Sequence, residues 1–124
     1  MLIEVLFFSK KKILSDRRLL GQWGQKQSEK FYKARGCKTL ARNFSCSSGE
    51  IDLIVGQGDG TIVFVEVKTR RTEEFVKAES AVSYSKKLRM AKAARLFVKK
   101  YKIENSPLRF DVVIVIPDEK GKAE

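Results

Sequence analysis

Two acidic residues and one lysine interrupt a pair of strongly apolar segments in the middle of the chain. Residues 50–55 read EIDLIV and residues 61–68 read TIVFVEVK. Asp52 lies in the first segment, and Glu66 and Lys68 lie in the second. Charges in a buried strand cost free energy unless they are paired or bind a metal ion. These three residues are therefore the first candidates for a functional site.

The loop between the two segments sets the expected distance between the acidic residues. Its sequence, GQGDG at residues 56–60, favours a hairpin turn, so the segments are predicted to form antiparallel strands. A hairpin that is symmetric about Asp59 places Asp52 opposite Glu66, with Cβ atoms about 5 Å apart. Two carboxylates this close repel, and one takes up a proton unless a cation lies between them. Mg²⁺ or Mn²⁺ suits this position because both ions prefer oxygen ligands.

Lys68 adds a positive charge to the same strand face. Side chains alternate along a strand, so Glu66 and Lys68 share one face. A metal ion polarises a phosphoryl oxygen and lowers the pKa of bound water, and a lysine compensates charge in the transition state. The three residues together predict metal-dependent hydrolysis of a phosphodiester. A buried salt bridge of Lys68 with Glu66 or Asp52 is the structural alternative.

Composition excludes several other kinds of chemistry and indicates the partner. The chain has 124 residues, with 26 Lys and Arg against 15 Asp and Glu, and a formal net charge of +11. This balance favours polyanions, chiefly nucleic acid, although an anionic membrane surface or an acidic protein partner is also compatible. The chain has no histidine, which excludes Ser-His-Asp and Cys-His nucleophiles and imidazole-bound zinc. Cys37 and Cys46 lack CxxC spacing and are expected to be reduced thiols of a cytoplasmic protein.

Periodicity along the chain predicts the elements that position these residues. Helical spacing predicts helices over 17–35 and 80–102, alternation predicts a strand over 38–45, and the apolar segment at 109–117 predicts a last, buried strand. With the hairpin, the order is α-β-β-β-α-β, an α/β fold in which a mixed sheet is flanked by helices. Ser80 is the expected N-cap of the second helix. The predicted apolar stripe of this helix consists of Tyr84, Leu88, Ala91, Ala94, Val98 and Tyr101.

The second helix also carries the charge pattern of a nucleic-acid interface. No acidic residue occurs between Ser80 and Ile103. A surface that follows phosphates needs cations without acidic neighbours, whereas an ordinary solvated face usually mixes both signs. We found no base-reading motif, so recognition by shape and backbone is expected. The predicted nucleic-acid contacts are Arg70, Arg71, Lys86, Arg89, Lys92 and Arg95.

Several of these motifs resemble those of known nucleases. The segment GEIDLIV…TIVFVEVKTR, residues 49–70, is similar to the active-site hairpin of PD-(D/E)XK nucleases, which have the restriction-endonuclease-like fold. From Gly21 to Ile116 the chain resembles the YraN family, small bacterial proteins related to archaeal Holliday-junction resolvases. The resemblance implies a restriction-endonuclease-like core. The other segments that carry it are ARNF (41–44), AVSYSKKLRMAKAARLFV (81–98) and RFDVV (109–113).

The resemblance implies a role for each hairpin residue. Asp52 and Glu66 would hold Mg²⁺ or Mn²⁺ together with the carbonyl oxygen of Val67. Lys68 would assist the attacking water. Glu50 belongs to the same motif and is an accessory candidate.

One position departs from the family pattern. The family has a glycine followed by a glutamate in the first helix, and this chain has Gln25 after the glycine. A Gln carbonyl binds a metal ion without contributing charge. Glu29 lies one helical turn later and is a further accessory candidate.

The leading prediction is a metal-dependent endonuclease, or a nuclease-like protein, that hydrolyses phosphodiester bonds in branched or single-stranded DNA. The alternatives are a non-catalytic nucleic-acid-binding module and a basic adaptor for an acidic protein or the ribosome. Cutting both strands of a junction would favour a homodimer with two-fold symmetry.

A single nuclease-like domain is expected over residues 16–117. Residues 1–15 are expected to form a mobile extension outside the core, and residues 118–124 a polar tail. The extension is too short an apolar run to span a membrane and lacks the features of a signal peptide.

Overall fold

A five-stranded mixed sheet lies between two helices in the computed structural model, which describes residues 2–8, 17–70 and 83–117. The strands follow the order β1-β5-β4-β3-β2, in which β2, β3 and β4 are antiparallel while β5 is parallel to β4 and β1. This arrangement confirms the predicted α/β fold with a restriction-endonuclease-like core. The elements are β1 (Leu2–Phe8), α1 (Arg17–Lys33), β2 (Lys38–Cys46), β3 (Gly49–Gly56), β4 (Ile62–Thr69), α2 (Tyr84–Lys100) and β5 (Leu108–Pro117).

The β3–β4 hairpin has the predicted register. Leu53 pairs with Val65, so the hairpin is symmetric about Asp59. Gly60 has a φ of 92°, a conformation that glycine adopts without steric cost. The backbone N–H of Thr61 donates a hydrogen bond to Asp59 Oδ1 at 2.9 Å. The turn residues thus determine which side chains of the two strands face each other.

Apolar side chains cover the two faces of the sheet in separate clusters. The cluster on the α1 face includes Val63 and Val65 of β4, and the cluster on the α2 face includes Phe64. Burial on both faces explains why the sequence of β4 is an almost continuous apolar run. Other buried members are Trp23, Tyr32 and Leu53 on the α1 face and Ile51, Ile54, Ala94 and Phe97 on the α2 face.

The N-terminal segment differs from its prediction. Leu2–Phe8 forms strand β1, which pairs in parallel with β5, and Leu6 is buried in the α1-face cluster. The expectation that residues 1–15 lie outside the core is therefore wrong for this segment. The physical reason is that the edge of β5 offers backbone hydrogen-bond partners to an apolar segment that also gains burial. Residues 9–16 and 118–124 lie outside the described residues.

Helix α2 begins later than the sequence indicates. Its N-cap is Ser83, whose hydroxyl accepts a hydrogen bond from the backbone N–H of Lys86 at 3.2 Å. The predicted cap, Ser80, lies outside the described residues.

The buried face of α2 is also rotated from the predicted stripe. Tyr84 is 76% exposed, and Leu88 and Tyr101 are exposed as well, whereas Ala94 and Val98 are buried as predicted. The additional buried residues are Met90, Ala93 and Phe97. The rotation follows from aromatic packing, because the Phe97 ring makes edge contacts with Phe44 and Phe64, at centroid distances of 5.2 and 6.0 Å.

Helix α1 approaches β4 closely at Gly24. A methyl group at this position would overlap Thr69 Oγ1 and lie 3.0 Å from Thr69 Cβ. We therefore expect Gly24→Ala to lower the free energy of unfolding by about 1–3 kcal/mol, as overpacking does. Gly21→Ala is the control, because no described atom lies within 4 Å of the added methyl, and its higher helix propensity contributes up to about 1 kcal/mol. Urea unfolding of both variants measures the difference, and equal stabilities would contradict this prediction.

Candidate active site

The strand ladder between β3 and β4 ends immediately before the acidic residues. Leu53 and Val65 are the last paired residues at this end. Two residues further along β4, the backbone N–H of Val67 donates a hydrogen bond to Asp52 Oδ2 at 2.8 Å. A carboxylate thus takes the place of a strand carbonyl as acceptor. Asp52 lies in the fork between the two strands, where a main-chain group fixes its side chain.

The alternation of side chains between the two faces of β3 is interrupted beside Asp52. Ile51 and Ile54 belong to the α2-face cluster although they are three residues apart, and Leu53 belongs to the α1-face cluster. Across from Asp52 in β2, Asn43 has a left-handed φ of 51°. This conformation is uncommon for residues other than glycine, and asparagine is one of those that tolerate it best. The two strands are therefore distorted together beside Asp52.

Burial and two neighbouring carboxylates act on Asp52 in the fork. Burial raises the pKa of Asp52 to about 6, and the carboxylates of Glu66 and Glu50 contribute to the rise. The hydrogen bond from Val67 and the charge of Lys86 act in the opposite direction. Negative charge is thus gathered around a half-buried carboxylate, a situation that a bound cation relieves.

Helix α2 contributes a lysine that contacts Glu66. Lys86 Nζ lies 3.0 Å from Glu66 Oε2, and the Glu66 side chain is only 12% exposed. The sequence predicted Lys86 as a phosphate contact, and the structure places it against a candidate metal ligand. Lys68 follows Glu66 by two residues in β4 and is half-buried, and it lies on the same sheet face because side chains alternate.

A groove of about 1370 Å³ opens on the other side of the fork, between α1 and the β2–β3 edge. Glu66 and Lys68 are not among its lining residues. The site therefore has two sides: Asp52 reaches the groove, whereas Glu66 is held toward α2. The predicted residues that line the groove are Gln25, Glu29, Glu50, Asp52, Val67 and Arg70.

Glu29 is engaged by other side chains of the groove wall. Arg42 Nε donates to Glu29 Oε1 at 2.8 Å, and the hydroxyl of Thr39 donates to Oε2 at 2.7 Å. Lys33 Nζ lies 3.6 Å from the same oxygen. The hydrogen bonds from Arg42 hold the pKa of Glu29 at about 2, although burial acts against them. This carboxylate is a structural anchor between α1 and β2, so we leave it out of the proposed metal ligands.

The remaining predicted site residues lie beside the groove or on the exposed side of α2. Gln25 is half-buried beside the groove, and Glu50 is exposed and accepts a hydrogen bond from Ser45 at 3.0 Å. The guanidinium of Arg70 donates to the carbonyl of Thr69 at 3.0 Å. Arg71 lies outside the described residues. The remaining predicted nucleic-acid contacts, Arg89, Lys92 and Arg95, are exposed on α2.

The donor set suits a hard divalent cation with few protein ligands. Within the described ranges, no group of three or more acidic or cysteine side chains is close enough to hold an ion. Mg²⁺ needs only one or two carboxylates, because it keeps several water ligands and also binds substrate phosphate. Asp52 and Glu66 could supply these carboxylates, and a cation beside Asp52 would lower its raised pKa.

Sequence reasoning missed two features of this site. One is the left-handed backbone of Asn43, whose only signal in the sequence is an asparagine within a segment that otherwise favours β structure. The cations that α1 contributes to the groove were also missed, because basic residues on a single helix do not show what they face.

Cys37 and Cys46 are both free thiols, as expected. Neither α1 nor α2, the helices of the described part of the chain, is long and apolar enough to cross a membrane.

Comparison with known proteins shows where the chain belongs. The profile of uncharacterised protein family UPF0102 matches residues 24–115. A UPF0102 protein of Caldicellulosiruptor saccharolyticus is 40% identical over 86% of this chain and 90% of the relative. Relatives from Symbiobacterium thermophilum and Pelotomaculum thermopropionicum are 42% and 37% identical, over 85% and 87% of this chain and 88% and 89% of their own lengths. The chain therefore belongs to family UPF0102, the YraN family that the hairpin motifs indicate.

Proposed function

We propose that this protein is a metal-dependent endonuclease that hydrolyses phosphodiester bonds in branched or single-stranded DNA. The observation that carries the proposal is the position of Asp52. Its half-buried carboxylate lies in a strand fork and accepts a hydrogen bond from the N–H of Val67, and its pKa is raised by burial and to a smaller extent by Glu66. An acidic residue in this environment is costly to folding, which is common at sites where perturbed carboxylates do chemistry.

Each residue of the fork has a physical task in this proposal. A divalent cation, when bound, polarises the phosphoryl oxygen and makes bound water a better nucleophile. Asp52 and Glu66 would hold the cation, and the N–H of Val67 keeps Asp52 in one orientation. Lys68 and Lys86, both on the α2 face, would offset negative charge that develops on the phosphate.

The exposed cations of α2 fit contacts with the phosphate backbone outside the reacting group. Arg89, Lys92 and Arg95 are exposed on a helix whose described residues include no acidic side chain. Such contacts carry little sequence information, so we propose recognition of DNA shape and backbone.

One observation favours a second candidate function, a non-catalytic DNA-binding module. Lys86 already neutralises Glu66 in the structure, and Gln25 adds no charge at the position where the family has a glutamate. In that alternative the acidic residues of the fork only maintain structure, and DNA binding requires no divalent ion.

A cleavage assay tests the proposed hydrolysis. Duplex, flap, four-way-junction and single-stranded DNA are incubated with Mg²⁺ or Mn²⁺, and with EDTA as the metal-free control. We expect cleavage of branched or single-stranded DNA by the natural protein and background cleavage by Glu66→Gln, since this change removes a charged ligand but keeps the side-chain shape.

The matched control is Glu104→Gln, because Glu104 is an exposed acidic residue in the turn after α2. This variant is expected to cleave like the natural protein. Undiminished cleavage by Glu66→Gln would overturn the assignment of that residue. DNA binding without cleavage of any substrate would support the non-catalytic module.

A further inference from the structure

The groove beside Asp52 is strongly basic on its α1 side. Arg17, Arg18, Lys26 and Lys30 line it from α1, and Arg70 lines it from the end of β4. We propose that this groove binds a single polynucleotide strand and leads it to Asp52, while the α2 cations contact other parts of a branched substrate. The inference rests on the proposed function and adds the surface that selects the reacting strand.

Charge balance within the groove supports an anionic ligand. Of the three acidic residues in its wall, Glu29 is already paired with Arg42 and Lys33. The other two, Glu50 and Asp52, lie at the sheet end, where a cation is proposed to bind. The α1 wall therefore presents an excess of positive charge, and a concave surface concentrates such a field more than a convex one.

The α1 cations extend over the length of a short strand in a stacked, duplex-like conformation. Positions 18, 22, 26 and 30 are four residues apart and form one stripe on the helix, with Gln22 as its only uncharged member. From Arg18 to Lys30 the stripe is about 18 Å long at 1.5 Å per residue. Since one strand of a duplex advances 3.4 Å per nucleotide, the stripe covers about five phosphates.

The position of Asp52 favours the groove over the α2 face for the reacting strand. Asp52 and Val67 line the groove, whereas α2 approaches the site through Lys86, whose ammonium already contacts Glu66. A strand that follows the α1 stripe reaches the fork at the sheet wall. A phosphate on the exposed cations of α2 would instead lie on the outer surface of a helix.

Binding of a short oligothymidylate tests this inference without metal or cleavage. The probe is a fluorescein-labelled strand of about five nucleotides, a length chosen to match the phosphates that the stripe covers. Fluorescence anisotropy in EDTA buffer over a salt series measures its affinity for two double variants. Lys26→Ala with Lys30→Ala removes two groove cations, and Arg89→Ala with Lys92→Ala removes two α2 cations.

We expect the groove variant to flatten the log–log salt slope by about 1.4, since each lost contact on a single strand accounts for about 0.7. The same change corresponds to an affinity loss of about 25-fold near 0.1 M salt. The α2 variant is expected to bind the short strand within about twofold of the natural protein. Lys26→Arg with Lys30→Arg keeps both charges and should restore binding.

Equal binding by the groove variant and the natural protein would overturn the inference, and so would an equal loss in the α2 variant. Failure of the proposed hydrolysis is separable from failure of this inference. If the protein binds oligothymidylate through the groove but cleaves no DNA substrate, the enzyme assignment is wrong and the proposed binding groove stands. If the groove variant still cleaves DNA and its affinity for oligothymidylate is unchanged, the enzyme assignment stands and the proposed binding groove is wrong.

Discussion

Asp52→Asn is expected to abolish metal-dependent cleavage and, in metal-free buffer, to stabilise the protein at pH 8 by about 3 kcal/mol. The pKa of Asp52 is about 6 in the folded protein against an ordinary value of 3.8. Well below pH 4 the carboxyl is protonated in both the folded and the unfolded chain, so the raised pKa no longer lowers the free energy of unfolding. Above pH 6 it is ionised in both states, and the folded state bears the full free-energy cost of holding the charged carboxylate in the fork.

Asparagine avoids this penalty while keeping the local contacts. Its carbonyl oxygen can accept the hydrogen bond that Val67 donates to Asp52, and its amide can donate to the nearby carboxylates of Glu66 or Glu50. The gain over the natural protein should therefore be complete at pH 8, decrease as the pH falls through 6, and vanish below about pH 4. Denaturant unfolding at several pH values measures this curve.

Two controls separate the metal-site proposal from the structural alternative. Asp59→Asn changes an exposed aspartate of the hairpin turn and should give no gain at pH 8. Added Mn²⁺ should stabilise the natural protein and leave Asp52→Asn unchanged, because binding to the folded state alone raises stability. A loss of stability in Asp52→Asn at pH 8 would indicate instead that the carboxylate is part of a salt bridge that holds the hairpin.

Asp111→Ala is expected to destabilise the fold by about 2–4 kcal/mol, because it removes a fully buried acceptor from an ion pair whose guanidinium is about one-third exposed. Asp111 is fully buried in β5 and accepts a hydrogen bond from the hydroxyl of Tyr32 at 2.6 Å. Arg109 donates to both carboxylate oxygens, at 2.9 and 3.0 Å. Alanine would leave the guanidinium and the phenol without their acceptor.

This network joins the end of α1 to β5, where Asp111 pairs with Val65, the last residue of the β3–β4 ladder before the fork. Burial and Asp111 raise the pKa of Tyr32 well above its ordinary value, so the phenol remains a donor. Tyr32→Phe removes one hydrogen bond and should cost about 1–2 kcal/mol, clearly less than Asp111→Ala. Urea unfolding compares the two variants with the natural protein. Equal losses would contradict the assignment of Asp111 as the centre of the network.

The sequence by itself determined the order of the central elements and the register of the hairpin. Both depend on local patterns: the apolar run in residues 61–68, helical spacing around Trp23, and turn residues centred on Asp59. The same register predicted that Asp52 and Glu66 lie on one face of the hairpin, whereas in the structure Asp52 lines the groove and Glu66 does not. The order and the register are predictable because residues close together in the chain specify them.

Only the tertiary structure decided which surfaces meet. Whether Leu2–Phe8 pairs with anything depends on the edge of β5, about a hundred residues later in the chain. The pairing of Glu29 with Arg42 and that of Glu66 with Lys86 depend on how the helices pack against the sheet. The break in alternation that turns Asp52 toward the groove occurs together in two strands, so neither strand's pattern shows it alone. The physical reason is that side-chain partners on different elements are selected by burial and packing in three dimensions, which periodicity within one segment does not encode.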